Sequence, residues 1–147
     1  MTRQYPRGTG QAHAIRDIST ALVLANRPLS PTEIAHRAGV STPAADAVLR
    51  CCCVPEGYAV KSEAGWIWTG PPMTVTQEAL IVLRRHGGEM TTAEILDAMT
   101  TTSSRQSLLQ RLNELVDLGY VACVHHYPAV WRAYARRSEG QAVRARR

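Results

Sequence analysis

Phenylalanine is absent from this sequence and lysine occurs once, at Lys61, so sixteen of the seventeen basic side chains are arginines. That bias fits a GC-rich coding sequence as well as a need for phosphate-binding geometry. No apolar run approaches the roughly 18 residues of a membrane-spanning helix. The opening MTRQYPRGTG lacks the hydrophobic stretch of a secretory signal. The chain is therefore expected to be cytoplasmic, with no membrane partner. Cysteine is scarce and poorly spaced for a disulfide framework: Cys51, Cys52 and Cys53 are adjacent and Cys123 stands apart, which suits a reducing compartment. Also missing are a phosphate-cradling glycine loop, a metal-ligand pair with a general base and a recognisable nucleophile motif. Neither catalysis nor a cofactor is expected.

What is present is 147 residues, 45% apolar and 20% charged, enough for one ordinary domain or two very small ones. The net charge of +5 is unevenly placed. Residues 1–70 carry seven basic and five acidic side chains, residues 71–131 four and six, and residues 132–147 six and one. The body is neutral, and the excess sits in an arginine-rich C-terminus of a kind that binds polyanions without sequence preference.

The sequence repeats itself at a period of about 61 residues. Ser30-Pro31-Thr32-Glu33-Ile34 matches Thr91-Thr92-Ala93-Glu94-Ile95, and Gly57-Tyr58-Ala59-Val60 matches Gly119-Tyr120-Val121-Ala122. Ser30…Glu33 and Thr91…Glu94 are capping boxes, in which a hydroxyl and a carboxylate three residues apart each satisfy an orphan amide at a helix start. Pro31 falls where a first-turn proline is tolerated.

Each copy opens with a helix. Ile15, Ile18, Leu22 and Ala25 form a stripe ended by Arg27-Pro28, and Ala79, Leu80 and Leu83 follow a Thr74…Gln77 cap and end at Gly87-Gly88. A short second helix is predicted over 32–38 and 92–99. The third helix begins at Thr42-Pro43 in one copy and at a further capping box, Ser103…Gln106, in the other. There Leu108, Leu112, Leu115 and Val116 supply its buried face, and Gly119 terminates it in the left-handed conformation as Gly57 does in the first copy.

Two strand-like runs close each copy. Residues 58–62 and 66–69 flank Glu63-Ala64-Gly65, and residues 120–125 and 130–135 flank a turn containing Pro128. Gly70-Pro71-Pro72 makes a short, stiff joint. A 60-residue unit buries only about 60% of its unfolded surface, so the copies are expected to pack on each other or on a second chain. The expected architecture is mostly α, α+β, as helix-helix-helix-hairpin twice over. Its parts are an N-terminal flexible segment (1–11), a first domain (12–70), a second (71–135) and a basic tail (136–147).

The stretch from Glu33 to Leu49, EIAHRAGVSTPAADAVL, resembles the helix-turn-helix of bacterial repressors, with Ala35 at the helix crossing, Gly39 at the turn and Val40-Ser41 leading into the recognition helix. With the hairpins, residues 12–70 and 74–135 resemble winged-helix domains. The second copy, through LLQRLNELVDLGYV, is similar to the winged-helix regulators of the multiple-antibiotic-resistance repressor family. This resemblance implies double-stranded DNA as partner, with each third helix in the major groove and the wing on the backbone or minor groove. It also implies a small transcriptional regulator, nucleoid-associated, for which a phage or mobile element would be one source.

Carried over to the first copy, the exposed positions of the third helix are Thr42, Pro43, Ala44, Asp46 and Ala47, with Arg50 one turn on. They offer one hydroxyl, no amide and a carboxylate that repels phosphate. The second copy offers Thr101, Thr102, Ser103, Ser104, Arg105, Gln106, Gln110 and Arg111, whose hydroxyls suit phosphate, whose arginines suit guanine and whose glutamines suit adenine. His125 and His126 fall at the second wing, and Arg132, Arg136 and Arg137 lie near its end. The second copy is therefore expected to read bases, and the first to aid dimerisation, bind a protein partner or touch the backbone. The alternative is an adaptor, like the tandem winged-helix subunits of chromosome-condensation complexes, whose third helices bind protein and whose DNA affinity is only non-specific.

Consecutive helical residues point about 100° apart, so Cys51-Cys52-Cys53 cannot all ligate one ion, and they are expected to be small buried hydrophobes in the third helix, with no metal site. Trp66, Trp68 and Trp131, in equivalent final strands, are expected to pack the core and wings.

Overall fold

Ser30 Oγ accepts from the Glu33 amide at 3.1 Å and the Glu33 carboxylate accepts from the Ser30 amide at 3.1 Å. Thr91 and Glu94 form the same reciprocal pair at 3.2 and 2.9 Å. These two boxes start the second helix of each of two compact units, divided between Met73 and Thr74. A computed structural model describes residues 10–134. The expected tail at 136–147, with Arg136 and Arg137, lies outside the described residues, as do residues 1–9 of the expected flexible segment. Gly10 and Gln11 belong to the first helix instead.

The first unit runs α1 (Gly10–Ala25), α2 (Pro31–Ala38), α3 (Thr42–Val48), a π turn (Leu49–Cys53), β1 (Ala59–Ser62) and β2 (Gly65–Trp68). The second runs α4 (Val75–His86), β3 (Met90–Thr91), α5 (Thr92–Ala98), α6 (Arg105–Leu118), β4 (Val121–His126) and β5 (Ala129–Ala133). The protein is α+β, with two small antiparallel sheets. Among the described residues no helix is long and apolar enough to cross a membrane. Ile18, Leu22, Leu29, Ile34, Leu49 and Trp66 centre the first core; Leu80, Leu83, Ile95, Leu108, Leu112, Leu115 and Trp131 are the large buried side chains of the second unit. Each such side chain is worth about 1.5–3 kcal/mol when fully withdrawn from water.

The hairpin of each unit is tied to its helices through the residue just before the capping box. Leu29 exchanges backbone hydrogen bonds with Trp66 at 3.0 and 2.7 Å, and Met90 of β3 pairs with Trp131 of β5. Nothing in the hydrophobic pattern predicts β3, because a two-residue strand is too short to alternate. Gly65 is required at the Leu29 bridge: its φ is 134°, and a Cβ there would lie 2.6 Å from the Leu29 carbonyl oxygen.

The third helix of the first unit begins at Thr42-Pro43 as expected and is capped by Ser41, whose Oγ accepts from the Ala44 amide at 3.2 Å. Two expectations are corrected, the first at the start of the third helix of the second unit and the other at the cysteine triplet. The third helix of the second unit is capped by Ser104, accepting from Ser107 at 3.0 Å, and not by a Ser103…Gln106 box. In both places adjacent hydroxyls compete, and the residue with extended backbone takes the cap. The cysteine triplet is not uniformly buried: Cys51 is exposed, Cys52 half-buried and Cys53 buried. It occupies the π turn, where the Val54 amide donates to the Leu49 carbonyl at 2.9 Å. A π turn holds about 4.4 residues, so Leu49 and Cys53 stay in line with Ala45 and all three are buried. Tryptophans 66 and 131 are core residues; Trp68 is half-buried against Tyr58, ring centres 5.6 Å apart.

The two buried indoles differ. Trp131 Nε1 donates to Thr92 Oγ1 at 2.9 Å, whereas Trp66 Nε1 is buried without an acceptor. The repeat offset of 61 places Pro31 where the second unit has Thr92, and proline offers no hydroxyl. Replacing Thr92 by Val keeps the shape and orphans the second indole as well. Thermal or urea denaturation should show a loss of about 1–3 kcal/mol in the second unit, while Thr92→Ser should retain most of it. An unchanged midpoint for Thr92→Val would show that the hydrogen bond adds nothing net.

Candidate nucleic-acid interface

The turn that launches α6 is held from below by α4. Glu78, only 4% exposed, accepts from the Thr100 hydroxyl at 2.8 Å and from the Thr101 amide at 2.9 Å. Burial pushes this carboxyl upward, but the bonds from Thr101 and Thr100 outweigh it and the group titrates below its ordinary value of about 4.5. No local pattern marks this clamp, since its partners are 22 and 23 residues apart. It fixes Thr101 and presents Thr102, Ser103 and Ser104 at the start of α6.

The buried stripe of Leu108, Leu112 and Leu115 turns the opposite face of α6 outward. Gln106, Gln110 and Asn113, at i, i+4 and i+7, share that face and are exposed. Asn113 belongs with the candidate readers although its position late in the helix did not single it out; the helical phase would have found it. Arg105 is exposed in the first turn. No acidic side chain occupies that turn, so the positive end of the helix dipole is available to an anion. Arg111 is half-buried and paired with Glu114 at 3.1 Å, with its Nη2 also 3.5 Å from Gln110 Oε1. A pair this exposed is worth at most about 1 kcal/mol, which leaves the guanidinium free to exchange onto a phosphate. Asp117 continues the outward face at the far end, so the usable surface is the first two to three turns.

In the first unit, Arg50 Nε donates to both Asp46 oxygens, at 3.1 and 3.0 Å. The expected lone cation of that helix is therefore partly neutralised. Thr42 is half-buried beside the exposed Pro43 and Ala47. No amide side chain stands on this surface, and Arg50 keeps only its terminal nitrogens for a further contact.

The second hairpin is longer than the first, with seven residues between Cys123 and Trp131 against four between Lys61 and Trp66. A bulge between Cys123 and His125 breaks its register and re-aims the strand. His125, His126 and Tyr127 project at its tip, Tyr127 at 90% exposure. His125 Nδ1 accepts from the Tyr127 amide at 3.4 Å, and His126 Nδ1 lies 3.8 Å from Cys123 Sγ. Arg132, on β5, is exposed. Thus α6, the turn before it and this hairpin belong to one unit and between them carry all the described site residues except Thr42 and Arg50.

No family model, curated protein or solved structure matches the chain. Among the described residues no group of three or more His, Cys, Asp or Glu side chains could hold a metal ion.

Two measurements follow from these sites. Because the Glu78 carboxyl is depressed, its contribution is complete above about pH 4.5 and fades as pH falls through the lowered value. Glu78→Gln should cost about 1–3 kcal/mol at pH 7, with the gap from the parent closing on acidification; a gap independent of pH would place the effect elsewhere. The Cys53 thiol, pushed up to about 11 by burial and then by Cys52, should resist native alkylation at pH 8 while Cys51 reacts. Mass spectrometry of the labelled peptide reads the order, and equal labelling would mean that the π turn opens freely.

Proposed function

We propose that the chain is a sequence-specific double-stranded-DNA-binding regulator built from two tandem winged-helix domains, with α6 as the helix that reads bases. The observation that carries this is the contrast between equivalent helices. On α6 an arginine, two glutamines and an asparagine stand exposed behind a free helix N-terminus, while α3 carries no cation and Arg50, in the π turn after it, is held by Asp46. Arg105 suits guanine and the amides of Gln106, Gln110 and Asn113 suit adenine. Thr102, Ser103 and Ser104 suit phosphate, as does Arg111 once released from Glu114.

In this mechanism the second wing, with His125, His126 and Arg132, lies along the backbone. The arginine-rich C-terminus supplies non-specific attraction, and the first domain contributes dimerisation or weaker backbone contact. The protein acts by occupying its site, with no reaction of its own.

A footprint against the DNA flanking the protein's own gene tests the proposal: saturable protection supports it, whereas binding that depends only on DNA length and salt supports the adaptor. On a specific site, Arg105→Ala or Gln106→Ala should cost about 1–3 kcal/mol and relax preference at one base pair. Arg50→Ala and Thr42→Ala should leave preference intact, and the reverse pattern in a competition series would make the first domain the reader. Truncation after Tyr134 removes Arg136, Arg137, Arg144, Arg146 and Arg147. If about three to five of these meet phosphates, the log–log salt slope should flatten by roughly 3–4; an unchanged slope would exclude the tail from the complex.

A further inference from the structure

The first unit carries a cleft of about 510 Å³ between its π turn and its hairpin, lined by Arg50, Val54, Gly57, Ala59, Val60, Lys61 and Trp66. That volume lies within the range of small-ligand sites. Ala59 and Trp66, each 2% exposed, form an apolar floor, and Val54 and Val60, 46% and 51% exposed, form apolar walls. The polar side chains that line it are two cations. Lys61 is exposed and makes no hydrogen bond or ion pair among the described residues. Arg50 is bound to Asp46 through Nε alone, so its two terminal nitrogens remain open while its stem is held in place. A guanidinium held in this way is a fork for a carboxylate.

We propose that this cleft binds a small organic anion with an apolar body, its carboxylate between Arg50 and Lys61 and its hydrocarbon over Ala59, Val60 and Trp66. Two cations beside an apolar floor select against both a neutral hydrocarbon and an organic cation. The size of the cleft favours a small molecule over a protein segment. The assignment gives Arg50 a partner other than DNA, and it holds whether or not α6 reads bases, because the site can be measured without DNA.

The test is a titration of the full-length protein, without DNA, by sodium octanoate, followed in ¹H–¹⁵N spectra. The Trp66 indole N–H, which has no acceptor among the described residues, is the reporter, and the Trp131 indole is the control. Octanoate should move the Trp66 signal saturably in the millimolar range and leave Trp131 in place. Lys61→Gln, at an exposed site, should weaken binding about 10-fold or more, the factor expected for loss of one charge-assisted contact. Val60→Glu should abolish binding by placing an anion at the cleft wall. Octanamide and octylammonium should bind at least about 10-fold more weakly than octanoate. Equal affinity for all three, or no saturable shift at Trp66, would overturn the proposal. So would shifts at Val54, Val60 and Ile67 that follow protein concentration and ignore octanoate, since the face would then be an interface between copies of the chain.

Discussion

In each unit backbone pairing ties the residue before the capping box to the returning strand of the hairpin: Leu29 to Trp66 through one bridge, and Met90 to Trp131 within the two-residue strand β3, whose Thr91 pairs with Val130. Everything else is arranged around it. The bridge sets the depth of the tryptophan in the core, and the tryptophan closes the space between helices and sheet. The residue after the bridge caps the second helix, whose direction decides where the third helix can pack. A hairpin without this tie would be marginal, since two strands alone do not hold together in water.

Much of the fold was legible because its signals are local. The capping boxes, the Thr74 cap, the leucine stripe of α6 and Gly119 at its end are patterns within a few residues, and the structure places them as expected. What could not be read is long-range or depends on competition between equals. Glu78 finds Thr100 and Thr101 only once α4 and the α5–α6 turn are assembled. Ser41 and Ser104 win caps over neighbours with the same chemistry. The π turn at Leu49–Cys53 left no mark in the apolar spacing, since Ala45, Leu49 and Cys53, at i, i+4 and i+8, would share one face of an α-helix as well. The Asp46–Arg50 pair was visible in principle as an i,i+4 spacing, yet an arginine considered alone looks like a DNA contact.

The two units differ along two lines. The second has polar, exposed chemistry on its third helix and the longer hairpin. The first has alanine and proline on the equivalent helix, an arginine paired with Asp46 in the π turn after it, and a proline where the second uses a threonine to satisfy the buried indole. Each unit exposes large apolar side chains: Val54, Val60 and Ile67 at the π-turn exit and on the first hairpin, and Leu118, Val124 and Tyr127 in the second unit. Two units of like element order thus carry two unlike surfaces, one polar along α6 and one apolar beside Arg50 and Lys61.

The bridges also bear on how each hairpin can err. Side chains alternate across a strand, so a slip of one residue turns every inward group outward. In the first hairpin such a slip would drive Trp66 into water and bring Val60 or Ile67 inward, an exchange of similar hydrophobicity that the hairpin alone could tolerate. The Leu29 bridge forbids it, because Trp66 offers its amide and carbonyl to Leu29 at only one register, and Gly65 alone fits under the Leu29 carbonyl. Pairing errors in the strands are therefore corrected by a residue that lies in neither of them.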